Sequence, residues 1–169
     1  MLQLEDVILR KATRNDRYDL SVLANNKKIF DNLRDMMPYP YTLKDAEYFI
    51  DLIQDENPIN NFAITFQYKF CGMIGVRPMT DVYRYSAEIG YWIGEPYWNK
   101  GIGTKAIGLC TQYAFDQLKM YRVFANVFEY NTTSIKVLEK NGFTLEGIGK
   151  KSVFKNGKIY DDYRYAKTT

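Results

Sequence analysis

The chain has 169 residues, a length that fits one domain with a substantial core. Its 23 Lys and Arg against 20 Asp and Glu leave a net charge of only +3, so composition offers no electrostatic case for nucleic-acid binding. The absence of histidine excludes Ser-His and Cys-His nucleophile pairs and His-based zinc sites, and we predict no metal site.

Targeting signals are missing from the sequence. The first residues lack the basic start and apolar run of a signal peptide, and no apolar stretch approaches the length of a membrane span. Cys71 and Cys110 lie inside apolar runs, which indicates buried, inert thiols. We therefore expect a cytoplasmic protein with no membrane partner.

Hydrophobic periodicity and turn signals predict the elements. In chain order they are a strand at 7–12, a helix at 16–25, a helix from Thr42 through Ile53, a hairpin of strands near 62–67 and 70–76, a strand at 86–93, a helix opening at 101–104, a strand at 122–128, a short helix from Asn131, and two strands at 144–154 and 158–166. Thr42 and Asp45 resemble a capping box. Asn156-Gly157 is a strong hairpin signal between the last two strands.

The order β-α-α-β-β-β-α-β-α-β-β predicts an α/β fold built on one mixed sheet with an antiparallel first half. Strand 86–93 is apolar on both faces apart from Glu88, which favours a central position. With no repeat and no linker, we interpret residues 1–169 as a single domain.

A glycine loop follows that central strand. A polar stretch at 94–100 leads to Gly101-Ile102-Gly103-Thr104, where a long amphipathic helix begins. A helix N-terminus presents free N–H groups and a positive dipole end to an anion, and glycine lets the backbone approach closely. The pattern predicts a site for a cofactor that carries a pyrophosphate.

Two segments carry a resemblance. Trp98-Asn99-Lys100-Gly101-Ile102-Gly103-Thr104 is similar to the acetyl-CoA loop of the GNAT superfamily of N-acetyltransferases, and the stretch from Asn131 to Gly147 is similar to its second helix segment. Ala87-Glu88-Ile89-Gly90-Tyr91-Trp92-Ile93 points to the branch of ribosomal-protein N-terminal and spermidine acetyltransferases. The resemblance covers essentially the whole chain. It implies a mostly antiparallel sheet that splays at its centre, about four helices, and acetyl-CoA as cofactor.

The resemblance also assigns the cofactor site. The backbone of Tyr91, Trp92 and Ile93 would hold the pantetheine arm at the splayed edge. Backbone N–H groups from Trp98, Asn99, Lys100, Gly101, Ile102, Gly103 and Thr104 would cradle the pyrophosphate. Trp98 stands where the family often has Arg or Gln, which removes one side-chain contact. Asn131 would contact the cofactor, cap its helix, or do both.

For the chemistry, we interpret Glu88 as the general base, with a structural ion pair as the alternative. Ser134 corresponds to a serine that assists in the ribosomal-protein branch as proton donor to the departing thiolate. Many relatives place a tyrosine general acid four residues later, where this chain has Leu138. Ser134, a tyrosine such as Tyr130, or solvent would then supply the proton.

The acceptor site is expected between the irregular segment 32–41 and the hairpin at Asn156-Gly157. Arg34 and Asp35 could select charge there, and Tyr39 could line the cleft. Met36, Met37 and Tyr41 fit either a groove or the core. The predicted reaction is acetyl transfer to a primary amine, either a protein N-terminus or a small amine or polyamine, in a ternary complex. The protein would be a monomer or a homodimer.

Two other interpretations fit parts of the pattern. Gly101, Gly103 and Ala106 match a dinucleotide fingerprint, and Glu129 could bind a ribose, which would suit a nicotinamide or flavin oxidoreductase. That fingerprint normally closes the first βα turn, whereas here it follows three strands. The second interpretation is a non-catalytic acyl-CoA-binding sensor or structural protein of the same fold.

Overall fold

An eight-stranded sheet runs through the computed structural model, which describes residues 1–169. The strands are β1 (Leu2–Leu4), β2 (Val7–Lys11), β3 (Asn61–Phe66), β4 (Lys69–Pro78), β5 (Ser86–Ile93), β6 (Arg122–Phe128), β7 (Thr144–Lys155) and β8 (Lys158–Thr168). The helices are α1 (Arg17–Ala24), α2 (Lys27–Phe30), α3 (Leu43–Ile53), α4 (Ile102–Asp116) and α5 (Thr132–Lys140).

The strand order is β1-β2-β3-β4-β5-β6-β8-β7, and every neighbouring pair is antiparallel except β5 and β6. The predicted mixed, mostly antiparallel sheet and the central position of β5 are confirmed. The prediction missed β1 and α2. Their three and four residues are too few for a periodic signal, and α2 is one turn capped by the side chain of Asn26, which accepts from the Lys28 amide at 2.8 Å.

The sheet splays beside β5. Parallel pairing with β6 runs only from Ser86↔Arg122 to Glu88↔Phe124, while β4 stays paired with β5 as far as Ile93. Beyond Glu88, β6 pairs only with β8. The second half of β5 therefore has one open edge, as the resemblance implied.

Helices cover both faces of the sheet. A core of 22 buried residues joins the strands to α4 and α5, with Ile107 and Leu138 at its helical side. A second core of 10 buried residues lies on the other face under α1 and α3. Tyr41 belongs to this second core, so its interpretation as a core residue is confirmed.

Local signals placed several boundaries correctly. Thr42 and Asp45 form the predicted capping box, with the Thr42 amide donating to Asp45 Oδ2 at 2.7 Å. Asn156 and Gly157 turn the β7–β8 hairpin with φ values of 51° and 77°, which suits the two left-handed positions of a tight hairpin turn. Both cysteines are free and buried, and burial raises the pKa of each thiol to about 12. None of the helices combines the length and the hydropathy that crossing a membrane requires.

Gly72 is required where β4 meets β5. A Cβ atom built on Gly72 would lie 2.2 Å from the carbonyl oxygen of Trp92, a backbone atom that can move only if the strands separate. We expect Gly72→Ala to lower the free energy of unfolding by about 3 kcal/mol, the upper part of the range for overpacked cores. Urea denaturation would measure it, and Gly147→Ala in β7, where a Cβ meets nothing within 4 Å, is the control. Equal stability of the two variants would contradict the expectation.

Candidate active site

The open edge of β5 presents backbone groups from alternate residues. Gly94 donates to Cys71 at 2.8 Å and Met79 to Ser86 at 2.9 Å, which fixes the alternation of the antiparallel ladder. By that alternation, Tyr91 and Ile93 direct their N–H and C=O groups to the open side, as predicted. Trp92 pairs with β4 instead. The prediction that its backbone faces the open edge is wrong, because the ladder reverses direction at each residue.

The side chain of Trp98 binds one of these open backbone groups of β5. Its indole Nε1 donates to the carbonyl of Ile93 at 2.6 Å and so ties the loop to the end of β5. The open edge keeps the amide of Ile93 and both backbone groups of Tyr91. The tryptophan that stands in place of Arg or Gln therefore holds the loop in position.

The loop between β5 and α4 forms a backbone cradle. Asn99 and Gly101 have φ values of 61° and 72°, and no side chain caps the N-terminus of α4. The ring of Tyr91 packs against Gly103, where a Cβ would lie 3.0 Å from it. Uncapped amides in a left-handed turn form a concavity for an anion, so these residues fit the pyrophosphate of acetyl-CoA.

A cavity of about 800 Å³ extends from this cradle and is called the cofactor cavity below. Its lining includes every predicted cofactor residue: Tyr91, Trp92, Ile93, Trp98, Asn99, Lys100, Gly101, Ile102, Gly103, Thr104 and Asn131. Including Lys100, four lysines line it, namely Lys28, Lys100, Lys136 and Lys140, and no carboxylate does, although Lys28 pairs with Glu95 outside the lining. This charge distribution suits a ligand that carries several phosphates.

Asn131 and Ser134 lie together in the cofactor cavity. Asn131 Oδ1 accepts from the Ser134 amide at 3.1 Å, which confirms its role as helix cap and leaves its amide nitrogen for a ligand. Burial raises the pKa of Tyr91, and a hydrogen bond with the neighbouring Ser134 hydroxyl lowers it by a smaller amount. Ser134 therefore lies beside the Tyr91 side chain in the cofactor cavity, and its role as proton donor stays a prediction.

Tyr130 is the less suitable proton donor. Its hydroxyl donates to the carbonyl of Asp31, and burial raises its pKa to about 12. Leu138, which stands where many relatives have a tyrosine general acid, is buried in the larger core and has no proton to donate.

A second cavity, also of about 800 Å³, lies on the other side of the splay and is called the acceptor cavity below. It shares four lining residues with the cofactor cavity: Asn32, Leu33, Tyr91 and Trp92. The two cavities meet where β5 exposes its edge. A thioester held along that edge would be open to attack from the acceptor side.

Glu88 lies in the acceptor cavity with its side chain only 12% exposed. Arg34 and Asn126 donate to Oε1, and Arg77 donates to Oε2. The structure thus shows the ion pair that the sequence left as an alternative. Three donors occupy most of the roughly four acceptor positions of this carboxylate, and two of them are cations that favour its charged form, so Glu88 is a weaker base than an unpaired carboxylate would be.

The predicted acceptor residues have different surroundings. Arg34 lines the acceptor cavity at 52% side-chain exposure. Asp35 also lines it, but its carboxylate pairs with Lys155 at 2.6 Å, and Lys155 lies 3.5 Å from the centre of the Phe30 ring. Tyr39 lies outside both cavities and stacks on Phe30, so the structure does not bring it to the site.

Sequence reasoning missed Arg77 and Asp162, which also line the acceptor cavity. Asp162 was not distinguishable in the sequence, because its strand also carries Asp161 and Arg164, whereas Glu88 is the one charge in an apolar strand. Arg77 carried no signal, because its importance comes from pairing with Glu88 across the β4–β5 ladder.

Glu129 has a structural role. Its carboxylate accepts from the Asp161 amide at 3.1 Å and links the end of β6 to β8. It is not among the residues that line the cofactor cavity, so the geometry gives no support to the dinucleotide interpretation.

Comparison with known proteins agrees with this geometry. Residues 6–144 match the family model described as the acetyltransferase (GNAT) domain. The chain belongs to the GNAT acetyltransferase family. It is therefore an acetyl-CoA-dependent N-acetyltransferase, and the fold class, enzyme class and cofactor predicted from the sequence are confirmed.

Individual relatives differ in how much they share with the chain. It is 43% identical over 79 residues to "Probable N-acetyltransferase YjcK" of Bacillus subtilis. The matched segment is 47% of the chain and 43% of YjcK. It is 27% identical to the spermidine N(1)-acetyltransferase of Escherichia coli over 97% of the chain and 87% of that enzyme.

Among solved structures, the chain resembles RimL, a ribosomal L7/L12 alpha-N-protein acetyltransferase determined with coenzyme A, with a TM-score of 0.85. The identity is 21%, over 98% of the chain and 95% of RimL. At this identity the likeness establishes the fold alone.

Proposed function

We propose that this acetyltransferase acts on a primary amine that brings a single positive charge to the reacting end, by direct attack in a ternary complex. The observation that carries the proposal is the meeting of the two cavities at Tyr91 and Trp92. Acetyl-CoA supplies a thioester on one side of the β5 edge, and the amine approaches from the other. No covalent acetyl-enzyme is needed, and both cysteine thiols are buried away from such a role.

The cofactor side is assigned to the backbone. Amides from Asn99 to Thr104 would hold the pyrophosphate, and the open groups of Tyr91 and Ile93 would pair with the pantetheine arm. The predicted contribution of the Trp98 amide is wrong, because that amide donates to the carbonyl of Glu95 at 3.2 Å. A free amide at that edge would also stabilise the oxyanion that forms during attack. Ser134 is proposed as proton donor to the thiolate, with solvent as the alternative.

Charge in the acceptor cavity favours a singly charged acceptor over a polyamine. Its lining contains the cations Arg34, Arg77 and Lys155 and the carboxylates Asp35, Glu56, Glu88 and Asp162. Asp35 and Glu88 are already paired with these cations. Little negative charge remains for a polycation, so a peptide N-terminus or small monoamine fits better than spermidine.

We also propose that residues 1–169 form one domain that works in the cytoplasm as a monomer or homodimer. Free, buried cysteines suit a reducing compartment. Light scattering on a sizing column would establish the oligomeric state.

The deciding experiment titrates the purified protein with acetyl-CoA by calorimetry, with NAD as a parallel control, and then measures CoA thiol release with amine acceptors. We expect acetyl-CoA to bind and NAD not to bind. Short peptides with free N-termini should turn over faster than spermidine at equal concentration. Absence of acetyl-CoA binding by folded, cofactor-free protein would refute the proposal, and faster spermidine turnover would refute the acceptor class. Binding without turnover of any amine would favour the non-catalytic sensor.

A further inference from the structure

Asp162 is the carboxylate of the acceptor cavity that has no partner. It lies on β8, opposite Phe128 of β6 and Gly149 of β7, and lines the cavity together with Tyr91 and Trp92. Its side chain makes no hydrogen bond and no ion pair, and Oδ1 is buried from solvent. That oxygen has given up water without gaining a donor.

The other three carboxylates of the cavity are satisfied. Glu88 accepts from Arg34, Arg77 and Asn126. Asp35 pairs with Lys155, and Glu56 accepts from the amides of Asn60 and Asn61 at 3.0 and 2.9 Å. Asp162 therefore differs from its neighbours in being free to receive a donor from a ligand.

Charges on every side of Asp162 bear on its proton affinity. Burial raises its pKa, and Glu88 on β5 adds to the rise. Arg164 on its own strand and Arg34 from segment 32–41 act in the opposite direction. Asn126 on β6 and Ser152 on β7 are its uncharged polar neighbours in the cavity lining. Such a group binds a proton more readily than an exposed aspartate does.

We propose that Asp162 binds the ammonium group of the acceptor and takes its first proton. The assignment rests on the proposed function, since it names the base of that reaction. The nitrogen then uses its freed electron pair to form a bond to the acetyl carbon, and the bond from that carbon to sulfur breaks with its electrons on sulfur. The nitrogen loses a second proton and the thiolate gains one, so the products are the N-acetyl amine, CoA thiol and one proton that leaves Asp162 for solvent.

The test compares Asp162→Asn with Asp161→Asn. Asp161 is the adjacent residue on β8, but its carboxylate accepts from Lys150 and from the Lys151 amide at 2.7 and 2.8 Å, outside both cavities. For a peptide acceptor at neutral pH, we expect Asp162→Asn to lower kcat/KM by about 10²- to 10⁴-fold, the range for a lost general base. Its dissociation constant for acetyl-CoA should stay within about twofold of wild type. The Asp161→Asn variant should keep wild-type kcat/KM.

A pH profile separates a base from a residue that only shapes the site. The α-amine has a pKa of about 7.7–8.0, so a growing fraction arrives already deprotonated as pH rises. The deprotonated fraction rises about six- to elevenfold between pH 7 and pH 9.5, so the deficit of Asp162→Asn should shrink by about that factor. A deficit that does not change with pH, or a variant within threefold of wild type at pH 7, would overturn the assignment while leaving the proposed function intact.

Thermal unfolding gives a readout that does not depend on turnover. The pKa of Asp162 is raised above the ordinary 3.8, so the fold favours its protonated form. The free energy of unfolding that this group contributes is highest below pH 3.8 and falls as pH rises through the folded-state pKa. At pH 8, Asp162→Asn should then melt no lower than wild type. A lower melting temperature would show a structural role and overturn the assignment. Wild-type protein that binds acetyl-CoA but acetylates no amine would overturn both the proposed function and this assignment.

Discussion

Replacing Gly101 with valine is expected to weaken acetyl-CoA binding by at least about 100-fold, or about 2.7 kcal/mol at 25 °C. Gly101 precedes α4 with φ at 72° and lines the cofactor cavity. A Cβ at this position meets no protein atom within 4 Å, so the added methyl groups would occupy space that the cradle leaves for phosphate. Loss of two hydrogen bonds to a charged phosphate would account for the effect, because each contributes about 1.5–3 kcal/mol. Calorimetry with acetyl-CoA would measure it.

Gly157→Val is the matched control. Gly157 has φ at 77°, and a Cβ there also meets nothing within 4 Å, but it turns the β7–β8 hairpin away from the cofactor cavity. Both substitutions force a β-branched residue into the left-handed region and should cost similar stability. Acetyl-CoA affinity should fall only in Gly101→Val. Equal affinity in the two variants would mean that the loop before α4 does not hold the phosphates.

Features coded by neighbouring residues were predictable. The capping box at Thr42, the hairpin at Asn156-Gly157 and the glycine loop before α4 each depend on backbone conformations within a few positions. The resemblance added the splay beside β5, which no local pattern contains. As a result, every predicted cofactor residue lines the cofactor cavity, although the backbone of Trp92 points to the wrong side of its strand.

The acceptor side was harder to predict, because its chemistry depends on contacts between distant segments. Whether Glu88 is free depends on Arg34, 54 positions away in sequence, and on Arg77 in the next strand. In the sequence, Asp35 has no visible partner and could bind the acceptor. In the fold, Lys155, which is 120 positions away, donates to its carboxylate. Residue type indicates that a carboxylate is present, but only packing determines whether it has a partner.

Loss of the Glu88 charge is expected to lower kcat/KM by about 100-fold for a cationic acceptor. In wild type, Arg34 and Arg77 both pair with Glu88, Asp162 adds a second negative charge to the same cavity, and Asp35 and Lys155 offset each other. Glu88→Gln leaves one excess positive charge where the ammonium group arrives. At an effective dielectric constant of 20, two like charges about 6 Å apart repel by about 2.8 kcal/mol, which corresponds to about 100-fold. Acetyl-CoA affinity should not change, because Glu88 does not line the cofactor cavity.

A double substitution distinguishes this electrostatic role from the base that the sequence suggested. Arg77 is 64% exposed, and Arg77→Gln alone should change kcat/KM by less than about tenfold. If Glu88 balances charge, Glu88→Gln with Arg77→Gln restores neutrality and should recover kcat/KM to within about tenfold of wild type. If Glu88 removes the proton, the double variant must stay as slow as Glu88→Gln, because neutrality does not replace a base. Steady-state kinetics on wild type, the two single variants and the double variant gives the interaction free energy between positions 77 and 88 directly. We expect recovery, since both oxygens of Glu88 are already held by guanidinium groups and Asp162 has no partner.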